Sequence, residues 1–143
     1  MRRIFVDTGA WDAIADSGDP NHESALSFRD DIAGQCRLIS SNYVLDELFT
    51  LLLMNIGHQR TLTYKKQLDV LIAEGVLELI WVSQELASDA WDIFTQFNVD
   101  KKWSFTDCTS YVIMKQFEIT EVFAFDHHFE QMGFFRQPLE VSR

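Results

Sequence analysis

Four acidic residues stand where a side chain could do chemistry: Asp7, Glu47, Asp107 and Asp126. Asp7 follows Ile4-Phe5-Val6 and precedes Thr8-Gly9. Asp-Thr-Gly after an apolar run is how a pepsin-type or retroviral aspartic protease carries its catalytic acid. It is equally how a small α/β nuclease carries the first of several metal-binding carboxylates, so Asp7 alone leaves both open. Asp107 lies in Trp103-Ser104-Phe105-Thr106-Asp107-Cys108, at the expected opening of a helix. An acid there also complements the helix dipole and caps free N–H groups. Asp126 ends the run Val122-Phe123-Ala124-Phe125, a place where an Asp often caps the next helix. Glu47 shares three- and four-residue spacing with Val44, Leu51 and Met54, an expected inward face on which an unpartnered carboxylate is costly. Its neighbour Asp46 aligns with Tyr43 and Thr50 and reads as solvent-exposed.

The elements that must position these acids follow from the hydrophobic pattern. Arg3 to Val6 reads as a buried strand, followed by a helix from Thr8 to Ala15. Asp19 is placed to cap a second helix, with Pro20 at its first position, running to about Gly34. Arg37 to Ser40 is a second strand, and Ser41 or Asn42 caps a long helix that Gly57 ends. His58 to Glu74 is a further helix, and Val76 to Val82 a strand. Ser83 starts a helix to about Asn98, with Leu86, Ala90, Trp91, Phe94 and Phe97 as its inner stripe. A helix from about Thr106 to Phe117, a strand from Glu121 to Asp126, a helical turn and an edge strand near Leu139-Glu140-Val141 complete the order. Strands alternating with helices predict an α/β fold: one domain over residues 1–143, with a central, mostly parallel sheet flanked by helices on both faces. An aspartic protease is almost wholly β and would need a second Asp-Thr-Gly from a dimer. That reading is set aside.

In such a sheet ligands gather at the carboxyl ends of strands and the adjoining helix starts. Asp7 and Asp126 end strands, Asp107 opens a helix, and Glu47 lies one to two turns into the helix after the second strand, so all four can meet on one rim. Carboxylates held there would repel by ~3 kcal/mol per pair at about 5 Å and an effective dielectric of about 20. Such a cluster calls for a cation, and oxygen ligands point to Mg²⁺ or Mn²⁺ rather than zinc. The net charge of −10 excludes a large basic surface for holding phosphates, yet a metal in the cluster would invert the local charge. With 47% hydrophobic residues and twelve Phe, the chain can bury a full core. Cys36 and Cys108 are far apart and read as reduced core thiols of a cytoplasmic protein. The apolar run after Met1-Arg2-Arg3 stops too early, at Asp7, for a signal peptide. The stretch Leu48 to Ile56 is short for a membrane span and reads as a buried helix.

With these residues in place the chain resembles the PIN-domain family, and within it the VapC-type ribonuclease toxins of toxin–antitoxin modules. The resemblance covers essentially the whole chain and rests on Val6-Asp7-Thr8-Gly9, Asp46-Glu47-Leu48, Ser104-Phe105-Thr106-Asp107-Cys108 and Phe125-Asp126-His127-His128-Phe129. It implies that Asp7, Glu47, Asp107 and Asp126 form a catalytic, metal-binding tetrad, with Asp7 and Asp107 the most direct ligands, and that Thr8 and Thr106 hold carboxylates or water through their hydroxyls. It implies a Mg²⁺- or Mn²⁺-dependent endoribonuclease leaving 5′-phosphate and 3′-hydroxyl ends. It also implies a cognate antitoxin that keeps the enzyme inactive. The alternative is a PIN-fold module that binds RNA or protein with little catalysis.

Several features invite further roles. Asp126-His127-His128 spells the motif of the DHH phosphoesterases, but only fifteen residues follow it, too few for that family. Either histidine could touch phosphate, with solvated surface the plainer reading. Lys101, Lys102 and Trp103 could supply phosphate contacts and a stacking ring for RNA, or a loop anchored by a buried Trp. Arg60, Lys65 and Lys66 read as a solvated helix face. Leu51, Leu52, Leu53 and Met54 in succession exceed one buried face, which implies a second contact: a homodimer partner or an antitoxin helix.

Overall fold

Ile4, Phe5 and Val6 have no exposed surface, as expected of a central parallel strand covered on both faces. The structure, a computed structural model, describes residues 1–139. In chain order the elements are β1 (Arg2–Val6), α1 (Thr8–Ala15), α2 (His22–Ile32), β2 (Cys36–Ser41), α3 (Asn42–Ile56), α4 (His58–Ala73), β3 (Leu77–Ile80), α5 (Gln84–Phe97), α6 (Phe105–Gln116), β4 (Glu121–Phe123), α7 (His128–Gln131) and β5 (Phe135–Gln137). The strands form one sheet in the order β3-β2-β1-β4-β5. Every pairing is parallel, with Ile4 opposite Leu38 on one side and Glu121 on the other.

The chain steps from β1 outward to β2 and β3, then returns across the sheet to β4 and β5. Right-handed crossovers in opposite directions place α1 to α4 on one face and α5 to α7 on the other. The contacts agree: α1 packs on α2 and α3, α3 on α4, and α5 on α6. Phe28 of α2 meets Phe123 of β4 edge-on at 4.7 Å between ring centroids, closing the core over the sheet. Serine caps set three helix starts, with Ser41, Ser83 and Ser104 accepting from the N–H groups of Val44, Leu86 and Asp107 at 3.1, 3.1 and 2.9 Å. Gly57, at φ +84, makes the sharp turn between α3 and α4 that a residue with a Cβ would resist.

The structure shifts several expected boundaries. The second helix begins at His22, not Pro20, because Asp19 closes a turn instead, its carboxylate and carbonyl taking the N–H groups of Asn21 and His22. The third strand is only Leu77–Ile80, since the Val82 N–H is claimed by the Asn42 side chain at 2.7 Å. The fourth ends at Phe123, three residues before Asp126. The last strand is Phe135–Gln137, pairing with β4, while Leu139 is outside any strand and Glu140 and Val141 fall outside the described residues. Trp91 does not belong to the inner stripe of α5, being 54% exposed. Both cysteines are buried free thiols. Among the described residues no helix is long and apolar enough to cross a membrane.

Candidate active site

The strand order reverses between β1 and β4, and at such a switch point the segments leaving the two carboxyl ends diverge to opposite faces and open a crevice. Asp7 leaves β1 at this crevice as the residue before α1, and its N–H donates to the Phe123 carbonyl at the end of β4, 3.0 Å away. That bond ties the first acid to the segment that carries Asp126.

Asp7 is buried, and among the described residues no cation pairs with its carboxyl group. Burial pushes its pKa up to about 8, and the charges of Asp107, Glu47 and Asp126 push in the same direction, against a backbone hydrogen bond from Thr8. The three other acids of the sequence motif therefore surround Asp7. Thr8 Oγ1, next to it, is buried on the side of the Glu47 carboxyl group.

Asp107 enters from the first turn of α6, where it forms a capping box with Ser104. Ser104 Oγ accepts the Asp107 N–H, and Asp107 Oδ2 accepts the Ser104 N–H at 3.2 Å. The cap holds the carboxylate in one orientation, with little of its side chain exposed. Asp126 is fixed differently: its Oδ1 accepts the His128 N–H at 3.0 Å, a local turn that starts α7.

Glu47 corrects the expected inward face of α3. The residue is open to solvent, and its spacing partner Met54 is 78% exposed, while Leu45, Leu48 and Leu52 turn inward with Val44. Helical periodicity locates a stripe but not which way a helix lies against its neighbours. The carboxyl group nevertheless reaches the crevice. Burial raises its pKa, the Thr106 hydroxyl opposes that rise, Asp107 adds to it, and the Thr8 hydroxyl opposes it more weakly.

The histidines and the 101–103 loop divide unevenly. His128 is part of the cluster, its Nδ1 lying 3.0 Å from Asp107 Oδ2 and 3.3 Å from Asp126 Oδ2. His127 points elsewhere, with its Nδ1 3.4 Å from Glu130 Oε1. Trp103 is only 3% exposed and is no stacking platform. Its Nε1 donates to Gln131 Oε1 at 2.9 Å, and its backbone is clamped from both sides by the Asn98 amide, which makes it the anchor of the loop. Lys101 pairs with Asp100, and Lys102 is exposed.

An aromatic surface that the sequence reading missed lies on the other side of the α6 start. Phe105, two residues before Asp107, packs against exposed Trp91 of α5 at 4.5 Å between centroids and against Tyr43 of α3 at 6.1 Å. Tyr43 is one helical turn before Glu47. The signal was present as Trp91 in a stripe already satisfied by Leu86 and Ala90.

The residues fit a hard divalent cation. Asp7 is buried, its pKa raised by that burial and by the charges of the three other acids, and Asp107, Asp126 and His128 bring ligand atoms within 4.8 Å of one another. The family model for the PIN domain matches residues 4–135. This chain belongs to the PIN-domain family. Its similarity is to VapC proteins: it is 30% identical over 131 residues to the 23S rRNA-specific endonuclease VapC20 of Mycobacterium tuberculosis, covering 92% of this chain and 95% of that one. A VapC ribonuclease of Archaeoglobus fulgidus is 27% identical over 127 residues, covering 87% and 78%. The crystal structure of M. tuberculosis VapC20, described as a sarcin–ricin loop cleaving toxin, superposes with a TM-score of 0.80 over 92% and 95% of the two chains. VapBC2 of Rickettsia felis bound to promoter DNA is 13% identical, with a TM-score of 0.67 over 94% and 97%, a likeness of fold alone. The PIN domain here is of the VapC type, with its acids on the crevice described above.

Proposed function

We propose that the protein is a metal-dependent endoribonuclease, the toxin of a toxin–antitoxin pair, acting in the cytoplasm. The observation that carries the reading is Asp7, a buried carboxyl group ringed by three others and left without a cation of the protein's own. A divalent ion held by Asp7, Glu47, Asp107 and Asp126 would supply an activated water and offset the charge that develops on the phosphate. Mg²⁺ and Mn²⁺ are the ions that suit such oxygen ligands.

The chain's own residues then divide the work. Asp107 and Asp126 present carboxylates that are already oriented by Ser104 and by the turn at His128. Thr106, through its hydroxyl, favours the charged form of Glu47. Glu47, on the open side of the crevice, either completes the ion's ligands or orients its water. In-line hydrolysis of this kind leaves a 5′-phosphate and a 3′-hydroxyl. Trp91, Phe105 and Tyr43 form the surface on which an unpaired base would stack, which suits an acidic protein because stacking does not depend on net charge. Lys102, exposed and five residues before Asp107 in the chain, is the basic group we assign to phosphate contact. Leu53 and Met54 on α3 remain exposed, and a homodimer partner or the antitoxin would cover them.

The RNA to test first is a 23S rRNA sarcin–ricin stem-loop, because the relative covering nearly the whole chain is described as cleaving it. Purified protein, freed of any partner, is incubated with this RNA and with total RNA in Mg²⁺, Mn²⁺ or EDTA, beside Asp107→Asn. Discrete fragments with 5′-phosphates, formed only with metal and absent in the variant, support the reading. A folded protein that cleaves nothing under any metal would move the assignment to a binding module.

A further inference from the structure

We propose that His128 Nδ1 is itself a ligand to the metal ion, beside Asp107 and Asp126, and that this nitrogen makes the site bind Mn²⁺ in preference to Mg²⁺. The inference rests on the metal-dependent reading above and adds a residue that an all-carboxylate site would not need.

The geometry is specific. Nδ1 lies 3.0 Å from Asp107 Oδ2 and 3.3 Å from Asp126 Oδ2, and one ligand atom from each of the three residues falls within 4.8 Å of the others. A ring nitrogen carries at most one hydrogen, so it can donate well to only one of the two carboxylate oxygens. A single cation between them satisfies all three groups at once. Neighbouring ligands on an octahedral ion with bonds of about 2.1 Å stand about 3.0 Å apart, close to both distances here.

The ring is also held in place. Asp126 binds the backbone of His128 through Oδ1, leaving Oδ2 for the crevice, so one short turn sets the carboxylate and the imidazole together. Asp107 Oδ2 is steadied by the Ser104 N–H at the same time. His128 is half-buried, unlike the exposed His127 beside it. Mg²⁺ favours oxygen and gives up its waters reluctantly, whereas a transition ion accepts imidazole; the preference therefore follows from the nitrogen.

Pulsed electron paramagnetic resonance of the purified full chain loaded with Mn²⁺ tests this without RNA and without turnover. The expected result is a directly bonded nitrogen signal that changes on ring-¹⁵N histidine labelling, persists in His127→Gln and disappears in His128→Gln. Displacement of bound Mn²⁺ by Mg²⁺ should show the affinity ratio falling about tenfold in His128→Gln. Stoichiometric Mn²⁺ binding by the wild type with no nitrogen signal overturns the proposal and leaves the carboxylate metal site standing. So does a nitrogen signal that survives His128→Gln. Failure to bind Mn²⁺ at all overturns both this proposal and the metal-dependent reading. If His128→Gln does not fold, a signal that persists in each of His22→Gln, His58→Gln and His127→Gln leaves His128 as its source, and loss in any of them overturns the proposal.

Discussion

The charge of Asp107 is, after burial itself, the largest influence holding the Asp7 carboxyl group in its protonated form. Two acids brought from opposite ends of the chain are thus energetically coupled, and the coupling has consequences for stability, metal binding and catalysis.

The raised pKa of Asp7 makes the metal-free protein sensitive to alkali. Below the unfolded value of 3.8 both states hold the proton; between there and about 8 the unfolded chain releases it while the folded one keeps it. Stability therefore falls as pH rises through that window and levels off above it. Asp7→Asn removes this slope. In EDTA at pH 8 the variant should be more stable than the wild type by about 2 kcal/mol or more, seen as a melting temperature higher by about 5 °C. At pH 4 the difference should shrink toward zero. Equal slopes in both proteins would show that Asp7 titrates normally.

Metal should reverse that weakness. An ion that binds only the folded state stabilises by about 2.7 kcal/mol when present at a hundredfold excess over Kd. Melting curves at pH 8 should rise with added Mn²⁺ in the wild type and fall back with EDTA. Asp107→Asn should show little rise, and a rise of equal size would place the ion elsewhere.

Cleavage should respond most to the acids that the fold fixes best. Asp7→Asn and Asp107→Asn should each lower kcat by about 10²–10³-fold, the usual cost of losing one preorganised electrostatic group. Ser104→Ala should cost about 1 kcal/mol of stability as a lost cap, and lower metal affinity with it, because the same bonds orient Asp107. Denaturant melts read beside metal titrations check both effects; a lost cap with unchanged affinity would show that Asp107 holds its position unaided.

The two tryptophans near the start of α6 should behave in opposite ways. Trp91→Ala should weaken binding of single-stranded RNA by about 1–3 kcal/mol with little change in stability. Trp103→Ala should cost about 3–5 kcal/mol of stability, because its buried ring anchors the 98–103 loop. Equilibrium binding to a labelled RNA strand and urea unfolding of each variant separate the roles. Trp91→Ala that binds RNA normally but changes the oligomeric state would assign that surface to a protein partner.

Composition and pattern determined a great deal by themselves. Alternating strands and helices specify a parallel sheet, because parallel strands need crossover helices and bury both faces, and its carboxyl rim then marks where Asp7 and Asp126 must emerge. Spacing placed Ser83 and Gly57 at helix ends and narrowed a third cap to Ser41 or Asn42, of which the structure shows Ser41, since caps answer to local backbone groups. What local pattern could not decide was direction. The same periodicity that put Glu47 on a stripe with Met54 left open whether that stripe faced the core or the solvent, and it misplaced Trp91 for the same reason. Nothing in the sequence distinguished Trp103 as an anchor from Trp103 as a stacking ring, because its partners, Asn98 and Gln131, come from separate elements. His127 and His128 are adjacent and identical in type, yet only the turn after Asp126 rotates one of them against Asp107, twenty-one residues earlier in the chain. Residue type and local spacing thus determined which groups could do chemistry, and the tertiary structure decided which of them meet, because contact between distant segments depends on how the elements pack and not on their separation along the chain.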